Sequence, residues 1–175
     1  MKWLLGCCLS MTALMILSGC AGSGGKAVPL TATGVPIHID VLSDRGDPST
    51  MEEKQWRYRN EVGAYMEPNL VRRLGDYKFS SALIQQESDF KKQPGTYLLK
   101  VSITSYNPGS AAARIMVGYG AGACSLDCEY ELIDAQGQSL MKWTDGIGTS
   151  GDWRRLPVAL NKRNGQKIRD FLVSR

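Results

Sequence analysis

Histidine is almost absent from this sequence, with His38 as the single copy among 175 residues. Zinc sites and most acid–base catalysts depend on histidine, so both kinds of site are disfavoured. The sequence also lacks a phosphate-binding loop, a nucleophile elbow and a metal-binding box. We interpret His38 as a solvated residue on the polar side of an edge-like strand. The sequence therefore predicts a protein that is not an enzyme and that holds no cofactor and no metal ion.

The charge needed to bind nucleic acid is missing as well. The 21 Lys and Arg residues against 17 Asp and Glu give a net charge of +4, and the basic residues are scattered. This pattern predicts no nucleic-acid partner. Residues 154–175 are more basic than the rest of the chain. They fit a solvated helix face, or alternatively a segment that is attracted to anionic lipid headgroups.

A long apolar run occurs once, at residues 3–17, directly after Lys2. The run is short for a membrane span, follows a positive charge and precedes small residues, which is typical of a secretory signal peptide. It ends in the residues LSGC at positions 17–20. These residues resemble the lipobox of bacterial lipoproteins. The resemblance implies that residues 1–19 are a signal peptide, that the chain is cleaved before Cys20, and that diacylglycerol is attached to the Cys20 thiol.

Lipidation at Cys20 predicts attachment to the lipid bilayer, because two or three acyl chains hold a protein firmly whereas one chain binds marginally. Lipoproteins retained at the inner membrane carry Asp where this chain has Ala21. In a Gram-negative host the resemblance thus implies the periplasmic face of the outer membrane. Residues 20–36 are rich in small residues and lack apolar periodicity, which predicts a flexible lipidated tether. Residues 37–175 then form a single domain.

Few cysteines remain for that domain. Cys7 and Cys8 leave with the signal peptide and Cys20 carries lipid, so Cys124 and Cys128 are left. Four residues along a strand separate two Cα atoms by roughly 13 Å, too far for a disulfide. We expect two buried free thiols, although a local turn would allow them to bond in an oxidising periplasm.

Alternating apolar and polar residues predict five strands, with helices before the second and after the last. The predicted strands are residues 35–42, 77–86, 96–106, 124–133 and 139–144; the predicted helices are about 50–75, split at Pro68, and about 161–174. Asp127, Glu129 and Glu131 share a strand face, which indicates a solvent-facing stripe or, alternatively, a divalent-ion site. The order predicts an α+β fold, a two-layer domain with a mixed, mostly antiparallel sheet and helices on one face.

The central part of the chain carries a recurring combination of short motifs. These are Asn107-Pro108-Gly109-Ser110, Ala112-Ala113-Arg114, the glycine run at residues 118–122, and Asp134-Ala135-Gln136-Gly137. Together they resemble a family of small bacterial lipoproteins of unknown function that combine a lipobox, a tether and an α+β domain. The resemblance implies the fold and brings no activity. Arg114 is interpreted as a structural residue that satisfies carbonyls of the glycine turn, or as a receptor for a partner's carboxylate.

Trp143 and Trp153 flank a second glycine-rich stretch, residues 146–151. Aromatic residues on a flexible loop can form a partner-binding edge, and core packing is the equal alternative. The candidate partner-binding residues are Arg114, Gly118, Tyr119, Gly120, Gly122, Trp143 and Trp153. The sequence therefore predicts a membrane-anchored periplasmic lipoprotein, a binding or assembly component of the cell envelope with an envelope protein as partner. An accessory ligand-binding lipoprotein of a transport or secretion system is the alternative.

Overall fold

The computed structural model describes residues 29–31, 34–110 and 122–174. The predicted signal peptide, Cys20 and the candidates Arg114, Gly118, Tyr119 and Gly120 lie outside these residues. Five strands and two α-helices form within them. They are β1 (His38–Asp44), α1 (Glu53–Asp76), β2 (Ser80–Ile84), β3 (Thr96–Asn107), β4 (Cys124–Ile133), β5 (Ser139–Thr149) and α2 (Arg155–Val173), with a short 3₁₀ helix at Glu87–Asp89.

The strands form one sheet in the order β2-β1-β3-β4-β5. β1 is parallel to both of its neighbours, whereas β4 is antiparallel to both β3 and β5. α1 connects the parallel pair β1 and β2, as a parallel connection requires. Both helices cover the same face of the sheet, since residues of each join one core with the strands. The predicted two-layer α+β fold with a mixed sheet is confirmed, but by strand pairs the sheet is not mostly antiparallel, because two of its four strand pairs are parallel.

Apolar residues at strand and helix periodicity build the core between the two layers. β4 alternates strictly, with every second residue from Cys124 to Leu132 buried. α1 contributes Val62, Met66 and Leu70 at intervals of four residues, which places them on one helix face. The strands and α2 supply the remainder, chiefly Ile39, Val41, Leu99, Val101, Leu156, Leu160 and Ile168.

The predicted break of the first helix at Pro68 is wrong, because α1 continues through this residue. Proline removes the hydrogen bond to the carbonyl four residues earlier, which belongs to Ala64. Pro68 and Ala64 are both exposed, so water can satisfy that carbonyl without a kink. The missing hydrogen bond therefore lies on the solvent-exposed face of α1, where water replaces it.

β5 runs five residues beyond its predicted end at residue 144 and includes two glycines that suggested a loop. A Cβ atom at Gly146 would lie 2.0 Å from Asp127 Oδ1 on β4. This glycine thus makes room for a neighbouring side chain within the sheet. α2 also begins earlier than predicted, at Arg155, because Pro157 lies in its first turn, where proline is tolerated.

The face of the sheet without helices is mostly polar. Lys142 Nζ lies 2.7 Å from Glu129 Oε1 there, within the predicted acidic stripe. A small cluster of Phe90, Leu98 and Ile133 covers the part of this face nearest β1. Among the described residues no three His, Cys, Asp or Glu side chains are grouped in a way that would hold a metal ion. Neither α-helix is both long enough and apolar enough to cross a bilayer.

Candidate functional site

The domain has two ends that differ in composition. β1, β2 and β3 begin at the end that also contains Pro29 and the last turns of both helices; we call this the base end. β3 and β5 finish, and β4 and α2 begin, at the opposite end, which we call the far end. The hydrogen bond from Tyr77 Oη to the Lys162 carbonyl, at 3.4 Å, joins the two helices toward the base end. The candidates Gly122 and Trp153 lie at the far end.

Trp153 is the centre of an aromatic cluster at the far end. Its ring meets Tyr65 edge-on, with centroids 5.6 Å apart, and Tyr106 in the same manner at 6.4 Å. The Arg154 guanidinium lies over the Trp153 ring at 5.1 Å. Trp153 and Tyr106 are partly buried against the core, whereas Tyr65 is 38% exposed. We call Tyr65, Tyr106, Trp153 and Arg154 the Trp153 cluster.

Burial of Tyr106 in this cluster raises the pKa of its hydroxyl to about 12, and Cys124 and Glu61 act in the same direction. An open groove of about 440 Å³ adjoins the cluster. It is lined by Tyr65, Asp152, Arg154, Arg155, Val158, Ala159 and Lys162. Aromatic residues and arginine around a partly apolar groove are the composition typical of protein-binding surfaces.

Gly122, just before β4, forms a backbone hydrogen bond with the residues that follow β3. Its carbonyl accepts a hydrogen bond from the Ser110 backbone N–H at 3.1 Å. Gly109 and Gly122 have φ of 72° and 68°. A Cβ atom on Gly109 would lie 2.2 Å from the Gly122 carbonyl oxygen, and one on Gly122 would lie 2.2 Å from the Ser110 carbonyl oxygen. Glycine is thus required at both positions for conformation and for space.

Trp143 does not lie on a loop, because it is part of β5, and its partly buried ring faces α2. Its ring stacks on Tyr130, with centroids 5.2 Å apart and an interplanar angle of 11°. Trp143 Nε1 donates a hydrogen bond to Asn164 Oδ1 at 2.6 Å. Asn164 in turn donates to Asp145, which also pairs with Arg163. Trp143 and Trp153 therefore occupy separate places, and both contact the core.

The prediction that His38 lies on an edge-like strand is wrong, whereas its side chain is 32% exposed, in agreement with a solvated residue on the polar face. β1 lies inside the sheet, between β2 and β3. His38 Nδ1 is 2.9 Å from Ser80 Oγ, and His38 Nε2 is 2.9 Å from Asp40 Oδ1. Asp40 is 5% exposed. Its carboxylate and His38 line a cavity of about 530 Å³ on the sheet face without helices, together with Asp89, Lys91, Gln93 and Thr96.

Cys124 and Cys128 are free and buried, as predicted. Cys124 Sγ lies 3.3 Å from the Thr149 carbonyl oxygen, within hydrogen-bond range for a thiol. Burial raises the pKa of Cys128 to about 12. The Cys128 thiol is therefore protonated at neutral pH and behaves as a small apolar group.

Comparison with known proteins assigns the family. The domain of unknown function DUF4410 matches residues 37–151, which is more than half of the chain, so this protein belongs to the DUF4410 family. No protein of curated function matches the sequence. Membership agrees with the resemblance to a family without an established activity.

Two solved structures illustrate the structural similarity. The chain is 14% identical to a PelC variant, solved as a dodecamer from Paraburkholderia phytofirmans, with 81% of this chain and 91% of that chain covered and a TM-score of 0.48. It is 8% identical to a protein from Helicobacter pylori described as a homologue of a neuraminyllactose-binding hemagglutinin, with 79% and 81% covered and a TM-score of 0.37. Similarity at this level transfers no function.

Proposed function

We propose that this protein is a lipoprotein of the cell envelope and acts as a non-enzymatic binding or assembly component. Acylated Cys20 anchors it, and in a Gram-negative host the anchor lies at the periplasmic face of the outer membrane. The support for the anchor is the lipobox at residues 17–20. The observation that best supports partner binding is the Trp153 cluster, because tryptophan, tyrosine and arginine dominate binding energy at protein interfaces.

The location of the Trp153 cluster suits this role. Pro29, the part of the described chain nearest to Cys20 in sequence, lies at the base end. Tyr106 lies near the end of β3, whose twelve residues at a rise of about 3.3 Å span roughly 35 Å. The cluster thus lies at the opposite end of the domain from the anchor, where a periplasmic protein can reach it. The edge strand β5 ends beside it.

Photo-crosslinking in intact cells tests the partner surface. A crosslinking amino acid replaces Tyr65 in one strain and Thr144, exposed on the sheet face without helices, in a second. We expect one envelope protein to crosslink at position 65. Trp153→Ala should reduce that product at least 30-fold, because central interface residues contribute about 2 kcal/mol or more.

Equal crosslinking at positions 65 and 144, or a product that Trp153→Ala leaves unchanged, would contradict the proposed surface. The anchor has a separate test, the intact mass of protein purified from membranes. We expect a chain that begins at an acylated Cys20. An unacylated chain that begins at Met1 would refute the lipoprotein assignment.

An accessory ligand-binding lipoprotein is the second candidate, and the cavity beside His38 favours it. A buried carboxylate and an imidazole facing a space of about 530 Å³ would suit a small ligand with hydrogen-bond donors. Native mass spectrometry of protein purified from membranes tests this function. A small molecule that is retained by the wild type and lost in Asp40→Asn would favour it, provided that the variant unfolds at the same urea concentration as the wild type. A wild-type spectrum without added mass counts against it.

A further inference from the structure

A cavity of about 600 Å³ opens at the base end, between the last turn of α1, the second half of α2 and Pro29. Its lining is strongly cationic and contains a single carboxylate, that of Asp76. The four basic side chains come from both helices and from the residues after α1: Arg73, Lys78, Lys162 and Arg169. Such a lining attracts anions with several oxygen atoms, above all phosphate groups.

The packing of the two helices holds these cations around Tyr77. Arg169 lies over the Tyr77 ring at 5.8 Å, and the Tyr77 hydroxyl bonds to the Lys162 carbonyl. Arg73 Nη1 is 3.1 Å from Asp76 Oδ2, whereas its buried Nε has no hydrogen-bond partner in the described part of the chain. Helix C-termini attract cations, but this does not explain Lys162 in the middle of α2.

Exposed aliphatic side chains accompany the basic ones. Leu30 is 50% exposed and Val173 is 55% exposed, the two highest values among the exposed large hydrophobic residues of the described chain. Val173 lines the cavity, and Leu30 follows Pro29, which also lines it. Lysine and arginine combined with exposed aliphatic residues are typical of a surface that rests on a membrane.

The position of the predicted anchor brings this surface close to lipid. Pro29 comes nine residues after Cys20, and a fully extended chain over those nine steps spans at most about 32 Å. The base end therefore stays within reach of the bilayer that holds the acyl chains. The positive charge, the exposed aliphatic side chains and the short tether all favour a lipid surface as the partner of the base end.

We propose that the base end docks onto the anionic phospholipids of the membrane that carries the anchor. Headgroup phosphates bind among Arg73, Lys78, Lys162 and Arg169, while Leu30 and Val173 contact the boundary of the acyl chains. This docking rests on the proposed lipid anchor at Cys20. It holds the domain upright on the bilayer, with the Trp153 cluster directed away from it.

The test uses lipoprotein purified from membranes and inserted into vesicles of phosphatidylcholine, with or without phosphatidylglycerol. A fluorophore is attached at Ser174→Cys, next to Val173, or at Gln55→Cys, at the far end of the domain. Both positions are exposed, whereas Cys124 and Cys128 are buried and remain unlabelled. Nitroxide on the lipid headgroups quenches a fluorophore that lies at the membrane surface.

We expect quenching at position 174 in vesicles with phosphatidylglycerol, much less in neutral vesicles, and none at position 55 in either. Each cation at an anionic surface contributes about fivefold, so Lys78→Gln with Arg169→Gln should lower the ratio of docked to undocked domain on the order of 30-fold. The matched control, Lys54→Gln with Arg57→Gln, exposed at the far end, should leave it unchanged. Salt at about 1 M, where the Debye length is about 3 Å, should abolish docking.

Equal quenching in both vesicle types, or an equal loss in the control variant, would overturn the proposal. Reversal by excess glycerol phosphate at constant ionic strength would assign the cavity to a soluble phosphate and would also overturn it. Flotation with neutral vesicles reports on the anchor alone. Protein that floats with neutral vesicles but shows no headgroup dependence refutes the docking and keeps the anchor. Protein that floats with anionic vesicles alone refutes the anchor and keeps the docking.

Discussion

The base end and the far end use the same two helices in different ways. At the far end, Trp153 and Tyr106 are packed against the core, so the surface that we propose for partner binding is an extension of the hydrophobic interior. At the base end, the side chains of Lys78 and Arg169 are not buried and can be substituted without disturbing that interior. Substitutions that test the proposed partner surface at the far end should therefore also lower stability, whereas substitutions that test the proposed docking at the base end should not.

The largest expected effect comes from breaking the ion pair that holds the far end of β1 to α1. Arg45 Nε donates to Glu67 Oε1 at 2.7 Å, and Arg45 Nη2 donates to Glu67 Oε2. Glu67 is 7% exposed. Arg45→Met leaves this carboxylate buried without its partner, so the free energy of unfolding, measured in urea, should fall by about 3–5 kcal/mol.

The control is Arg163→Met, which breaks a second two-pronged pair, with Asp145, in which the arginine side chain is half exposed. Exposed pairs contribute about 0–1 kcal/mol. A loss in Arg163→Met as large as that in Arg45→Met would show that burial is not the cause.

Truncation of one apolar residue at each end tests the contrast directly. Trp153→Ala removes a partly buried ring, so we expect a loss of roughly 2–3 kcal/mol, below the range for a fully buried tryptophan. Val173→Ser changes a side chain that is 55% exposed and should cost within about 0.5 kcal/mol. Both values come from urea midpoints at constant m-value. A loss at Val173 as large as that at Trp153 would remove the distinction between the ends.

A smaller change in the free energy of unfolding is expected at alkaline pH, and it comes from Cys128 in β4. The pKa of Cys128 rises from 9.0 to about 12 on folding because the thiol is buried. Its contribution to stability is complete below pH 9 and is lost as the pH rises toward 12, since the unfolded thiol ionises first. Above pH 9 this group alone should lower the free energy of unfolding by about 1.4 kcal/mol per pH unit.

Cys128→Ala should therefore show a shallower decline between pH 9 and pH 11 than the wild type, whatever its stability at pH 7. Tyr106, whose pKa rises from 10.0 to about 12, adds a decline of the same sign at higher pH. Parallel curves for wild type and Cys128→Ala would mean that the thiol ionises at its usual pKa in the folded protein.

Sequence periodicity predicts the strands and helices that have one solvent-exposed face and one buried face. β4 matches its predicted bounds because alternation continues over its whole length. The predicted β5 is too short because Gly146 suggests a turn. Glycine is needed there because the Asp127 side chain approaches from the neighbouring strand, and this contact exists only in the folded sheet. The predicted helix break at Pro68 is wrong for a related reason. The free-energy cost of proline inside a helix depends on whether the carbonyl that loses its hydrogen bond faces water, and this is known only from the fold.

The surfaces were harder to predict because their residues come from distant parts of the chain. Trp153 was a candidate, but Tyr65 and Tyr106 join it from α1 and β3. His38 meets Ser80 across 42 residues, so alternation showed only that it shares a face with Asp40. The basic stretch at residues 154–175 indicated attraction to lipid as an alternative, whereas Arg73 and Lys78 join it only through helix packing.

The place of β1 in the sheet has a consequence for the order of folding. It is the first strand to leave the ribosome, yet it lies between β2 and β3, and its partners Ser80 and Thr96 come much later in the chain. Until they have been synthesised, β1 has no strand on either side to pair with, although α1, which precedes β2 in the chain, can already cover Ile39 and Val41. Contacts of such long sequence separation form slowly. β1 therefore gains its second neighbouring strand only when synthesis has passed Thr96, more than halfway along the chain.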